Sequence, residues 1–314
     1  MDLLFVSEDE VKNLLDLDSL LEALAEGFKA LTSGEVCAPA RNEVTTPAGF
    51  LLSMPAYLPG DNIVVKIVSI FHGNRRFGIQ GHQALICLFD PETGSTRAVM
   101  DGTYITAMRT AGSAALSGRL LARPSADTLA IIGAGVQGES HLKLFPRVRN
   151  FKEIRVASLD FSDAQRVAAL DRHAFAVQTI EQAVRGADVV SLCTTTSQPV
   201  VRHEWLKKGA HVTSVGYMPP GGELSREIIE KGRLFVETRL AFEPTPIGCG
   251  ELAGLDAEIS TELGEVLLNL RPGRRSDDQL TVYKSMGHAM EDMVAANLVY
   301  KRAIEASAGK VVSL

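Results

Sequence analysis

The sequence predicts an α/β protein: a Rossmann-type doubly wound parallel sheet with a second α+β domain. Two observations carry this. From residue 129 onward, short apolar runs alternate with helical stretches, the rhythm of a parallel sheet covered by helices on both faces. Between 41 and 100 the apolar runs are instead separated by Gly, Pro, Asp and Asn, as in a sheet with hairpin-like connections. A length of 314 residues fits two domains, each long enough to bury a core.

The elements follow in order. Ser7 and Glu10 have the spacing of a capping box, so a short helix starts there. Asp18 is placed to cap a second helix, in which Leu20, Leu21, Leu24, Phe28 and Leu31 recur at helical spacing, and Gly34 suits its end. Runs at 50–52, 63–70 and 84–89 read as strands, and Asp90-Pro91-Glu92-Thr93-Gly94 reads as a turn between strands. Residues 103–122, rich in Ala, Leu and small polar side chains, read as a helix. Arg123-Pro124-Ser125-Ala126-Asp127 then breaks the chain and marks a domain boundary. Beyond it, 129–132, 154–157, 187–192, 211–215 and 234–236 read as strands, with a helix near 163–173. From Gly287 the remaining chain reads as one long helix.

Composition narrows the function. A net charge of −6 lacks the basic footprint of a nucleic-acid partner. Cys37, Cys87, Cys193 and Cys249 are far apart and form no C-x-x-C pair, which reads as free buried thiols in a reducing compartment. Leu3-Leu4-Phe5-Val6 gives way to Ser7-Glu8-Asp9-Glu10, too short and too acidic for a signal peptide. No run approaches the ~20 apolar residues of a membrane span. The expectation is a cytoplasmic protein with no membrane partner. The histidines form no metal signature, and none is expected to hold a metal: His203-Glu204-Trp205-Leu206-Lys207 lacks the second His of H-E-x-x-H.

The most specific signal is Leu129-Ala130-Ile131-Ile132-Gly133-Ala134-Gly135-Val136-Gln137-Gly138. It places G-x-G-x-x-G after an apolar strand and at the opening of a helix, the context the dinucleotide fingerprint requires. Gly133 allows the tight turn, Gly135 lets the backbone approach a pyrophosphate, and Gly138 lets helix and strand pack closely. Val136 and Gln137 begin the helix, whose unpaired N–H groups and dipole favour the phosphates. An acid ~20 residues on would take the ribose hydroxyls. Asp160 stands slightly displaced from that place, either as this partner or as a solvated surface Asp. No Arg stands next to it for a 2′-phosphate, so NAD is favoured, with NADP left open.

Further stretches carry a resemblance: Val65-Lys66-Ile67-Val68, Phe71-His72-Gly73-Asn74, Leu88-Phe89-Asp90-Pro91-Glu92-Thr93-Gly94 and Asp101-Gly102-Thr103-Tyr104-Ile105-Thr106-Ala107-Met108-Arg109-Thr110-Ala111. Near the end come Leu263-Gly264-Glu265-Val266, Arg271-Pro272-Gly273-Arg274 and Val282-Tyr283-Lys284-Ser285-Met286-Gly287. With the glycine turn they span nearly the whole chain, and the sequence resembles the ornithine cyclodeaminase/mu-crystallin family of NAD(P)-dependent enzymes. The resemblance implies a homodimer. It also implies a substrate and dimerisation domain at 1–122 with 288–314, around a dinucleotide-binding domain at 123–287. The substrate would be a small amino or imino acid. By resemblance Arg41, Lys66 and Arg109 clamp its carboxylate or assist proton transfer, and Thr110 and Ser285 lie near the cofactor.

The residues themselves leave alternatives. Arg109, in a helix of small residues, either grips a carboxylate or lies on the surface. Lys66, inside an apolar strand, marks either a sheet edge or a pocket that would lower its pKa. Arg41 rests on the resemblance alone. Thr194-Thr195-Thr196 follows a strand at its carboxyl end, where Thr194 and Thr195 line a cofactor cleft or serve turn chemistry. One departure matters. Where the family's cyclodeaminases carry Gly-x-Asp and then Pro-Gly-Lys, this chain reads Gly216-Tyr217-Met218-Pro219-Pro220-Gly221-Gly222-Glu223. Met218 cannot accept a proton, so imine reduction or amino-acid dehydrogenation is favoured over ornithine cyclodeamination. A third possibility is a small-ligand-binding protein without turnover.

Overall fold

The computed structural model describes residues 2–313. The chain divides into two compact units, residues 1–109 with 288–314, and residues 110–287. The first opens with β1 (Asp2–Val6), α1 (Glu8–Leu14) and α2 (Leu17–Thr32). It continues through β2 (Asn42–Thr46), β3 (Gly49–Ala56), β4 (Ile63–Ile70), β5 (His82–Phe89) and β6 (Thr96–Asp101) into helix α3 (Thr103–Leu121). The second runs β7 (Thr128–Ile132), α4 (Val136–Val148), β8 (Glu153–Ala157), α5 (Phe161–Ala168), β9 (Ala174–Ala176), α6 (Ile180–Val184) and β10 (Val189–Leu192). It goes on with β11 (His211–Ser214), α7 (Arg226–Lys231), β12 (Arg233–Val236), β13 (Thr261–Glu262), α8 (Leu263–Leu267) and β14 (Thr281–Lys284). Helix α9 (Ala289–Ala306) and strand β15 (Lys310–Ser313) belong to the first unit.

The first unit is a seven-stranded sheet in the order β15-β1-β6-β5-β4-β3-β2. Its pairs are antiparallel except β1 with β6. Period-two alternation sends Leu52, Met54, Val64, Val68, Ile86 and Leu88 to a buried face. Helix α9 packs on β3 and β4, and α2 packs on α9. Leu20, Leu24 and Phe28 of α2 are fully buried, each stabilising the unit by about 1.5–3 kcal/mol. The register sets Lys66 between Met54 and Ile86, on that buried face.

The second unit is an eight-stranded, wholly parallel sheet in the order β13-β12-β14-β11-β10-β7-β8-β9. Counting β7 as the first strand, β9-β8-β7-β10-β11 follows the 3-2-1-4-5 part of the Rossmann order; β14, the last strand of the unit, takes the sixth place, with β12 and β13 outside it. Every residue of β10, β11 and β14 is buried, as expected of strands covered on both faces.

Several boundaries differ from the sequence reading. The capping box at Ser7 and Glu10 forms, but α2 is capped by Asp16, whose side chain accepts from Ser19 N, not by Asp18. The helix near 163–173 is shorter, and the chain beyond it turns into β9. The final stretch is not one helix: Ser307 adopts a left-handed conformation, Gly309 follows at φ 90°, and β15 pairs with β1. The division between units falls inside α3, ahead of the Arg123–Asp127 break. The cysteines are unpaired, but Cys37 is exposed and only Cys193 and Cys249 are fully buried.

Candidate active site

Arg41, Lys66 and Arg109 come together in the first unit. Lys66 is neither at a sheet edge nor in solvent: β4 lies between β3 and β5, and the side chain is 1% exposed. Its Nζ sits 2.7 Å from Asp292 Oδ2. Arg109 is buried too, donating through Nε to Asp292 Oδ1 at 3.0 Å and through Nη1 to Glu291 Oε2 at 3.1 Å. Arg41 is half-buried and close enough to bear on the titration of both Lys66 and His288. Lys66 and Arg109 thus pair with two fully buried carboxylates, and Arg41 lies near Lys66.

The electrostatics follow from burial and neighbours. Burial, with Arg109 beside it, lowers the Lys66 ammonium to about 8, and Asp292 limits the fall. For Asp292 burial opposes ionisation, but Arg109 and Lys66 outweigh it and hold the carboxyl below its ordinary value. His82 shares the Lys66 face of the sheet, two positions beyond Ala84 on β5. Burial and the nearby Lys66 and Arg109 charges lower it to about 4. His288 caps α9: its Nδ1 accepts from Met290 N, and burial lowers it to about 4 against the pull of Glu291. At neutral pH both imidazoles are neutral, and Lys66 exchanges its proton within reach of physiological pH. Such a group suits proton transfer.

The second unit carries the glycine turn. Gly133 has φ 107°, and a Cβ there would lie 2.6 Å from Cys193 O. A Cβ on Gly138 would lie 2.1 Å from Gly133 O, so strand and helix approach too closely for any side chain. Gly135 differs: a Cβ would meet nothing within 4 Å. It is the N-cap of α4, with no side-chain cap, and Gly135 and Val136 are exposed. The open helix start is a cradle whose donors fit a pyrophosphate. Arg166 braces the turn, donating to Ala134 O at 2.8 Å and pairing with Glu139.

Other sequence-predicted positions have mixed outcomes. Asp160 is exposed and acts as the N-cap of α5, its Oδ1 accepting from Ser162 N and Oγ at 2.8 and 2.7 Å. One oxygen is thereby committed locally. Thr110 is buried within α3. Thr194 is fastened to Glu223, Thr195 is exposed, and Thr196 makes a local turn bond with Gln198. Ser285 donates to the buried Glu237, which also accepts from Met286 N and Gly287 N.

The model of the ornithine cyclodeaminase/mu-crystallin family matches residues 1–307. The chain is 38% identical to a ketimine reductase mu-crystallin of Mus musculus over 305 residues, covering 94% of this chain and 96% of that one. Among solved structures, a Thermococcus litoralis Δ1-pyrroline-2-carboxylate reductase in complex with NADH and L-proline superposes with a TM-score of 0.93. It is 30% identical, over 99% of this chain and 100% of that one. An archaeal alanine dehydrogenase dimer with bound NAD superposes with a TM-score of 0.91, at 30% identity and full coverage of both chains.

The chain belongs to the ornithine cyclodeaminase/mu-crystallin family.

The stretch that distinguishes this chain from the cyclodeaminase pattern of the sequence reading follows β11. Met218 lies in a short bridge with Gly221 after β11. Glu223 does not replace the missing acid: it is fully buried, with both oxygens taken by backbone and hydroxyl donors of its own unit. Sequence reasoning missed Glu291, Asp292 and His82. Two adjacent acids in the first turn of an otherwise apolar helix were the available signal for the first two, since buried carboxylates need cationic partners.

Proposed function

We propose that this chain is an NAD-dependent oxidoreductase acting at the Cα–N bond of an amino or imino acid, and that it reduces cyclic ketimine carboxylates or dehydrogenates amino acids. The observation that carries the proposal is the buried cluster of Lys66 and Arg109 on Glu291 and Asp292, with the half-buried Arg41 near Lys66. Two cations on these carboxylates, with a third near Lys66, suit an incoming substrate carboxylate. Arg41 and Arg109 hold the substrate carboxylate, and Lys66 delivers a proton to the imine nitrogen as the carbon is reduced. The nicotinamide dinucleotide, when bound, supplies the hydride. The turn at 133–138 and the amides opening α4 would hold its pyrophosphate. Asp160 and Asp163 put negative charge at the start of α5, and Arg166 pairs with both Glu139 and Asp163. This favours NAD over a cofactor with an additional phosphate.

Met218 disfavours cyclodeamination because it leaves no proton acceptor at that position. The deciding experiment incubates the protein with L-ornithine and catalytic NAD, and separately with Δ1-piperideine-2-carboxylate and NADH or NADPH. The proposal predicts loss of NADH absorbance with the imine and little proline or ammonia from ornithine. Robust ornithine turnover would assign the chain to the cyclodeaminases instead.

The working form proposed is a homodimer. Opposite the buried face of the first unit's sheet, Val44, Leu51, Ile67 and Leu85 are 64%, 39%, 36% and 41% exposed. Val44 pairs with Leu51 and Ile67 with Leu85 across the strands. A flat apolar face of this kind suits a second copy of the same surface. Among the described residues no helix is long and apolar enough to cross a membrane.

A further inference from the structure

We infer that Glu223 is a positioning residue for the nicotinamide half of the dinucleotide, acting through the strand ends that it ties together. The inference rests on the dinucleotide-binding reading of the second unit. Strands β10, β11 and β14 occupy the fourth, fifth and sixth places of the Rossmann sheet, the half that takes the second nucleotide of a dinucleotide at the strands' carboxyl ends. The ladder bonds reach Val215 and Ser285. Just past the end of β10, Thr194 N and Oγ1 both donate to Glu223 Oε2 at 2.6 Å. At the end of β11, Ser214 Oγ and Gly216 N donate to Oε1 at 3.0 and 2.6 Å. At the end of β14, Lys284 Nζ donates to Ser214 Oγ at 3.1 Å and Gly216 O at 2.7 Å, and pairs with Glu251 at 2.5 Å.

One carboxylate therefore fixes two loops directly and joins a third strand through Ser214. The loops touch: a Cβ on Gly216 would lie 2.0 Å from Thr194 O. Thr194 in turn abuts the glycine turn, its Cγ2 lying 3.3 Å from where a Gly133 Cβ would stand. A fully buried charge is a costly way to gain stability alone. Its four donors, drawn from two strand ends, are what a carboxylate accepts and a neutral side chain does not. Glutamine keeps the shape but turns an amide NH2 toward either Thr194 N–H or Gly216 N–H, donor against donor. One strand end must then shift.

The test measures binding of NADH by its fluorescence and of ADP by calorimetry, for wild type and Glu223→Gln. Selective positioning predicts NADH binding about tenfold weaker or more in the variant, with ADP, which reaches only the adenine half, within about twofold of wild type. An equal loss of both ligands, or unchanged NADH affinity, overturns the inference. If Glu223→Gln fails to fold, Ser214→Ala decides. It removes one donor to Glu223 and one acceptor for Lys284, and is expected to weaken NADH about two- to fivefold with ADP unchanged. NADH binding unchanged in that variant overturns the inference. Wild-type protein that binds neither ligand overturns the dinucleotide reading beneath it, and Glu223's role with it.

Discussion

Lys66 has burial and two guanidinium groups acting to remove its proton, and one carboxylate acting to keep it. With its proton leaving at about 8, the charged form dominates at neutral pH and is lost as pH rises further. Imine reduction that takes its proton from Lys66 is therefore flat below that value and falls above it, which a pH profile of the rate at saturating NADH would measure. Asp292→Asn removes the charge that raises the Lys66 pKa. The descending limb should then move to lower pH; an unmoved limb would mean that Lys66 is not the titrating acid. Lys66→Met should lower turnover by about 10²–10⁴. It should still bind NADH, because Lys66 and the glycine turn belong to different units. Arg109 retains Asp292 and Glu291 as partners in that variant.

At the scale of elements, the glycine turn yields a sharper expectation than its motif does. Gly133→Ala and Gly138→Ala each force a Cβ against backbone oxygen, so both should destabilise the second unit. Gly135→Ala meets only open space. It should fold with a wild-type melting temperature and lose NADH affinity, since the methyl group occupies the place the phosphates need. Comparing the melting curves and NADH titrations of the three variants checks this. The turn was legible in the sequence because strand, glycines and helix are contiguous. Lys66 was legible as an oddity in an apolar strand, but its surroundings were not. Asp292 lies more than 200 residues further along the chain, and no local pattern shows that α9 packs on β4. Asp160 was legible only in part. Its position invites a ribose-binding role, yet the same carboxylate is suited to capping the next helix, and it does so. β15 was hidden because only Gly309 marks the helix end before its four residues, and its partner is the first strand of the chain.

For the whole molecule, the apolar face at Leu51, Ile67 and Leu85 sets the expected assembly. Sedimentation should give twice the chain mass. Ile67→Lys, which places a charge at the centre of that face, should give monomers with the buried core intact. A wild-type monomer at micromolar concentration would rule out this use of the face. The two units divide the work in the proposed reaction: the first presents the cations, the second the dinucleotide cradle. Neither half alone specifies the chemistry, since the glycine turn serves many hydride transfers and the cation cluster serves any carboxylate. The measurement that tests their combination most directly is the decrease of NADH absorbance on adding a cyclic ketimine carboxylate. Stoichiometric oxidation of NADH with formation of the saturated cyclic amino acid is the expected result. No oxidation of NADH or NADPH by any cyclic or open-chain imino acid, in protein shown to bind the cofactor, would contradict it.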